Sequence, residues 1–143
     1  MIKILPILLL GATLFLAASI STRGRDEIFA KVTTTDGTQT TLASWTILAD
    51  TAVYFVEAVV TAINVTTGDT KGWPMSGVFE RVSASSSLIG SVQNPFSAQG
   101  DLGAALWTVT MDVSSNTIRV RVTGVAATTI KWQVRASVVF QTE

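Results

Sequence analysis

The stretch TIRVRVTG-VAATT-IKWQVRASVVF, residues 117–140, decides the fold class. Apolar side chains occupy every second position before the central VAATT, at Ile118, Val120 and Val122, and the same alternation returns in residues 130–140. A period of two is that of a β-strand with one buried face. The two runs are therefore predicted to be paired antiparallel strands of a β-hairpin in an all-β domain.

The composition limits what kind of protein this is. The chain has 143 residues, which is enough for one domain with a hydrophobic core and an appendage, but short for two domains. Its ten basic and ten acidic residues cancel, so no overall field attracts nucleic acid, and we predict no nucleic-acid partner. Only 14% of the residues are charged whereas 48% are hydrophobic, a balance that favours self-association or membrane contact.

The sequence contains neither cysteine nor histidine. That composition excludes disulfides, thiolate metal sites and every Ser-His or Cys-His nucleophile. The sequence also lacks a phosphate-binding loop, a dinucleotide-binding glycine pattern, a zinc motif and a calcium loop. The ten carboxylates fall mostly at predicted turns or on polar strand faces, where solvation explains them. We predict that the protein is not an enzyme and has no catalytic, cofactor-binding or metal site.

Residues 1–20, MIKILPILLLGATLFLAASI, are a separate apolar segment. A basic start, an apolar centre and small residues near the end also fit a secretory signal. A helix from Pro6 to Ile20 is about 23 Å long at about 1.5 Å per residue, which is shorter than a hydrocarbon core of about 30 Å. We predict a short apolar N-terminal helix that is retained as an anchor or buried plug, covered by protein or by membrane contact from Ile4 to Ile20.

The rest of the chain divides into a joint and a domain. Residues 21–30, STRGRDEIFA, are predicted to be a polar joint because charges of both signs surround Gly24. The β-domain then occupies residues 31–143. Seven to nine strand-like runs, separated by turn residues, follow one another along it. The most economical architecture is an antiparallel β-sandwich or jelly roll.

Residues 52–65, AVYFVEAVVTAINV, are apolar on both parities. A strand of this kind is expected to be covered on both faces, by the core on one side and by another subunit on the other. Glu57 is its only charged residue, and we expect it to pair with a strand arginine such as Arg81. A helix is the competing interpretation, but the β-branched content and the TTGD turn that follows favour a strand.

Four basic residues share the polar parity of the stretch quoted first. They are Arg119, Arg121, Lys131 and Arg135. In a hairpin they would form one stripe, which we interpret as a solvated or intersubunit face because acidic residues on neighbouring strands offset it.

The tryptophans divide into core and candidate surface positions. Trp107 and Trp132 fall on the core parity of their strands. Trp73 stands between Gly72 and Pro74 near a predicted turn, and Phe96 lies in an irregular stretch. Exposed loop aromatics stack on sugar rings or anchor interfaces, so Trp73 and Phe96 are the candidate surface-binding residues, although a half-buried loop anchor also explains Trp73. These two residues are the basis of an alternative interpretation, in which the protein is a secreted or surface-anchored bacterial carbohydrate-binding domain.

Several segments together resemble the small β-domains of structural proteins in tailed-bacteriophage virions, often tail or fibre proteins. The segments are TTTDGTQTTLASWTI (33–47), AVYFVEAVVTAIN (52–64), GVFERV (77–82), SLIGSV (87–92), ALWTVTMDV (105–113) and the stretch quoted first. The most specific feature is a strand that ends in VTG, a small-residue turn and a strand containing I-x-W.

This resemblance covers residues 32–140 and carries no catalytic signature. It implies a non-enzymatic, oligomeric domain exposed on a virion, in contact with other virion proteins and with a host receptor or glycan. We expect a fibre, spike or tail component, with a homotrimer as the favoured assembly. The apolar residues 1–20 depart from the family's pattern, and we expect them to anchor the protein in the particle.

Overall fold

The structure is a computed structural model that describes residues 22–143, with the side chains described from Gly24 onward. The N-terminal helix predicted for residues 1–20 lies outside this range. The strands are β1 (Thr22–Thr34), β2 (Thr40–Thr46), β3 (Thr51–Asn64), β4 (Thr70–Val82), β5 (Ser85–Gln93), β6 (Gln99–Gly100), β7 (Thr108–Ser114), β8 (Thr117–Thr123) and β9 (Ile130–Thr142). A single 3-10 turn, Leu102–Ala104, precedes β7.

The strands form two antiparallel sheets, so the prediction of an antiparallel all-β domain is confirmed. The large sheet has the order β1-β9-β3-β4-β5, with the short β6 also paired to β4, and the small sheet has the order β2-β8-β7. The inner faces of both sheets contribute to one hydrophobic core, as expected for the predicted sandwich. No helix in residues 22–143 is long and apolar enough to cross a membrane.

The predicted hairpin of residues 117–140 is wrong, although both of its strands exist. Strand β8 pairs with β2 and β7 in the small sheet, whereas β9 pairs with β1 and β3 in the large sheet. Residues 124–129 therefore cross between sheets, a separation of about 10 Å. Alternation identifies the buried face of each strand but does not identify its partner, and both strands here bury one face in the same core.

Gly124 allows the crossing segment to pass close to the end of β1. A Cβ atom at this position would lie 2.7 Å from Thr34 Oγ1 and 2.9 Å from the carbonyl oxygen of Asp36. Both distances are shorter than normal contacts, so any other residue at position 124 would push this segment away from Thr34 and Asp36. The glycine of the VTG ending is therefore required by this close approach rather than by a hairpin turn.

The core contains three tryptophans in contact. The ring of Trp132 lies 5.5 Å from that of Trp73 and 6.0 Å from that of Trp107, measured between centroids. Trp107 and Trp132 are each 1% exposed, which confirms their predicted core positions. The indole Nε1–H of Trp132 donates to Thr34 Oγ1 at 2.9 Å, so its one polar atom has a buried partner.

The large sheet begins earlier in the chain than the sequence suggested. Residues 22–30, assigned above to a polar joint, form the first part of β1 and pair with β9 from Thr22 opposite Thr142 onward. Ile28 and Ala30 pack toward the core, while Arg25 and Glu27 point to the opposite face. The charges of this segment occupy one face of a strand, so a polar composition does not prevent its pairing.

The bond between Trp132 and Thr34 gives a stability prediction. Thr34→Val keeps the shape and β-propensity of the side chain but leaves a buried indole donor without a partner, which costs about 1–3 kcal/mol of unfolding free energy. Thr33→Val, an exposed change on the same strand, is expected to stay within about 0.5 kcal/mol of the wild type. Urea unfolding followed by tryptophan fluorescence measures both, and equal midpoints for the two variants would contradict this role of Thr34.

Candidate functional site

Among residues 22–143, no group of three or more acidic side chains is placed to hold a metal ion. The feature that stands out is a surface, the face of the large sheet that points away from the core. We call it the outer face. Its exposed apolar residues are Phe29, Val53, Phe55, Val59, Ile63, Val82, Ile89 and Val139.

The strand register joins part of the outer face into one apolar row. Val139 of β9 lies opposite Phe55 of β3, Phe55 lies opposite Val78 of β4, and Val78 lies opposite Ile89 of β5. Phe55 is 40% exposed and Val139 is 47% exposed, although both lie on central strands. Adjacent side chains on one face of a sheet contact each other, so this row is a continuous apolar strip.

Strand β3 has an apolar outer face as well as an apolar core face, as its sequence predicted. Its buried and exposed residues alternate without a break from Thr51 to Asn64. Val53, Phe55, Val59 and Ile63 are between 40% and 53% exposed, whereas the core-facing Val56 and Val60 are fully buried. The partner expected to cover the outer residues is not part of this structure and remains a proposal.

The outward face of the small sheet is polar by contrast. On β7 and β8, Arg119 donates to both carboxylate oxygens of Asp112 at 2.8 and 2.9 Å, and Arg121 reaches the same carboxylate at 3.4 Å. The hydrogen bond with Asp112 is the main cause that raises the pKa of Arg119 above its ordinary value. Threonine and serine occupy its other outward positions on β2, such as Ser44 and Thr46. This surface is therefore suited to solvent.

The basic stripe expected along residues 117–140 is divided between the two sheets. Arg119 and Arg121 lie on the small sheet, where Asp112 neutralises them in part. Lys131 and Arg135 lie on the outer face of the large sheet. Because β8 and β9 do not pair, no single stripe exists.

Three charged groups of the outer face lie together near its apolar row. Glu27 Oε1 lies 3.2 Å from Arg25 Nη2, and the second oxygen of Glu27 lies 4.0 Å from Arg135 Nη2. The guanidinium of Arg135 also lies 5.6 Å from the ring centroid of Phe29, a cation–π distance. All of these groups are well exposed, so the contacts contribute little to stability.

The predicted pairing of Glu57 with Arg81 is wrong. In the register of β3 and β4, Glu57 lies opposite Ser76, whereas Arg81 lies opposite Ala52 on the core-facing parity. Arg81 instead contacts Asp50 at 3.0 Å and donates to the carbonyl of Ile47 at 2.7 Å. The two residues are on opposite faces of the sheet, which the spacing along the chain did not reveal.

Trp73 is a core residue and does not serve as a surface platform. It is 8% exposed, it packs on Trp132, and the Lys71 ammonium lies 5.2 Å from its ring centroid. The sequence placed it near a turn because Pro74 was expected to interrupt the strand. However, β4 pairs with β6 only at Lys71–Gly72 and with β5 only from Ser76, so Pro74 lies where β4 is locally an edge strand.

Phe96 is exposed, in the segment between β5 and β6. It is 70% exposed, and Leu102 and Leu106 in the following segment are 96% and 74% exposed. Lys71 Nζ holds this region by donating to the carbonyls of Ala104, Ala105 and Trp107 at 3.0, 3.2 and 3.2 Å. With Trp73 buried, the carbohydrate-binding alternative retains Phe96 alone.

Comparison with solved structures gives a distant likeness. No family model matches the chain, and no curated protein matches it. The crystal structure of the tailspike protein of Acinetobacter baumannii phage AM24 is similar over 84% of this chain, with a TM-score of 0.41 and 10% sequence identity. The chain spans 26% of the length of that tailspike.

The buried position of Trp73 and the exposed position of Phe96 can be tested by measuring the free energy of unfolding of variants. Trp73→Ala removes a core ring from the tryptophan cluster and is expected to cost about 3–5 kcal/mol of unfolding free energy. Phe96→Ala, a control in the exposed segment, is expected to change it by less than about 0.5 kcal/mol. Urea denaturation followed by far-ultraviolet circular dichroism measures both, and similar losses for the two variants would contradict these positions.

Proposed function

We propose that this chain is a non-enzymatic structural protein of a bacteriophage virion, a fibre, spike or tail component whose β-domain assembles with further copies. The observation that carries the proposal is the apolar outer face of the large sheet. Its exposed apolar residues lie on the central strands β3 and β9, and not only at the sheet edges. The place in a virion is supported by the sequence resemblance to phage structural domains.

The difference between the two exposed sheet surfaces supports assembly. The small sheet presents arginine, aspartate and threonine to solvent, whereas the large sheet presents exposed phenylalanine, valine and isoleucine beside its charged residues. Removing apolar surface from water yields about 25 cal/mol per Å², so covering the outer face is favourable. Contiguous apolar patches on a protein surface typically mark an interaction site.

Two other parts of the chain complete the proposal. Residues 1–20 would anchor the protein in the particle or its membrane, with other virion proteins or lipid around the segment from Ile4 to Ile20. The exposed Phe96 and Leu102 would make the contact with a host receptor or glycan, since both side chains are available to a partner. Mass spectrometry of purified particles of the encoding phage should detect peptides of the chain, and their consistent absence would remove the virion assignment.

The assembly surface is tested by one charge placed at its centre. Phe55→Lys puts an ammonium group into the apolar row, and loss of a buried phenylalanine contact of about 1.5–3 kcal/mol weakens association at least about tenfold. The matched control is Thr46→Lys, which adds the same charge to the outward face of the small sheet. Sedimentation velocity of the full chain in density-matched detergent gives the assembled mass. Unchanged assembly of the Phe55→Lys variant would refute this surface.

A further inference from the structure

We infer that the partner covering the outer face is a second copy of this chain, related by a two-fold axis that runs parallel to the strands. This inference rests on the proposed function and specifies its geometry. It follows from the distribution of charge around the apolar row, which differs between the two halves of the face.

One half of the outer face, formed by β1 and β9, is basic. Among the side chains described from Gly24 onward, its exposed cations are Arg25, Lys31, Lys131 and Arg135, and Glu27 is the acidic exception. The other half, formed by β3 and β4, carries Glu57 and Glu80 and no outward basic residue on either of these two fully described strands. The apolar row crosses from one half to the other, through Val139 and Phe55.

This division selects one way of placing two faces together. A two-fold axis parallel to the strands reverses the strand order, so the basic half of each copy lies over the acidic half of the other. An in-plane axis perpendicular to the strands would place like halves over each other. Opposite potentials across an interface fix the relative orientation of partners and disfavour the alternatives. The first arrangement places opposite charges over each other in both halves, because an isologous interface repeats each contact.

The outer face also has the size of a stable interface. Strands β1, β9, β3 and β4 each have 13 or 14 residues. At about 3.3 Å per residue and about 4.8 Å between strands, four such strands cover on the order of 800 Å². That is the area each partner contributes to a protein interface of standard size.

Other coverings fit the face less well. Residues 1–20 are apolar, but Lys3 is their only charged residue, so they offer no acidic group to the basic half. Three copies around a three-fold axis meet in pairs along their sides, whereas a two-fold axis places the whole face of one copy against the same face of the other. Two copies are therefore expected, in place of the homotrimer anticipated from the sequence.

Charge reversal tests the inference directly. Glu57→Lys with Glu80→Lys makes both halves basic. Lys131→Glu with Arg135→Glu leaves both halves with a net negative charge, counted over the side chains described from Gly24 onward. Each double variant is expected to bind its own copies at least tenfold more weakly than wild type. The variant with all four changes exchanges the signs of charge of the two halves and is expected to recover the wild-type dimer. The control Thr46→Lys with Thr110→Lys alters the small sheet and should keep the wild-type mass.

Sedimentation velocity of the full chain in density-matched detergent measures every variant, with circular dichroism to verify folding. A wild-type mass of three copies, double variants that associate like wild type, or a fourfold variant that stays dissociated would each overturn the two-fold pairing. If Phe55→Lys dissociates the protein while charge reversal does not, the assembly surface stands and the two-fold pairing fails. A wild-type protein that never associates would contradict both the assembly surface and the two-fold pairing.

Discussion

Strand β3 carries apolar side chains on both of its faces, and the domain itself buries only one of them. It lies between β9 and β4 in the large sheet, with Val56 and Val60 fully buried against the core. Its other face presents Phe55 and Val59 outward. A sheet buried on one face only would alternate apolar and polar residues on such a strand. The second apolar face is therefore the property on which the proposed assembly rests.

The outward faces of the two sheets differ in polarity. The small sheet covers one face of the core and exposes a polar surface, where Arg119 and Asp112 form a two-bond ion pair. The large sheet covers the other face of the core and exposes the apolar row. The domain thus has one side with a polar surface and one side with exposed apolar side chains, and the proposed assembly would bury the second side.

The sequence predicted the features that depend on local periodicity. Most strands, the core positions of Trp107 and Trp132, and the second apolar face of residues 52–65 follow from alternation of side chains along one strand, whereas the first part of β1 and the first half of β4 were missed. Strand pairing does not, because β8 and β9 each bury one face whether or not they are neighbours. The same limit explains why the predicted pairing of Glu57 with Arg81 is wrong, because the register between β3 and β4 cannot be read from either strand alone. Trp73 was misplaced because Pro74 is tolerated where β4 has a partner on one side only.

The central claim is that the outer face of the large sheet becomes buried when copies of the chain assemble. Hydroxyl-radical footprinting with mass spectrometry, at concentrations above and below assembly, compares the reactivity of Phe29 and Phe55 with that of Phe96. All three rings are exposed in the single chain, and only Phe29 and Phe55 lie on the outer face. We predict that assembly protects Phe29 and Phe55 and leaves Phe96 as reactive as before. Equal oxidation of Phe29 and Phe55 in the dilute and assembled chain would contradict the claim.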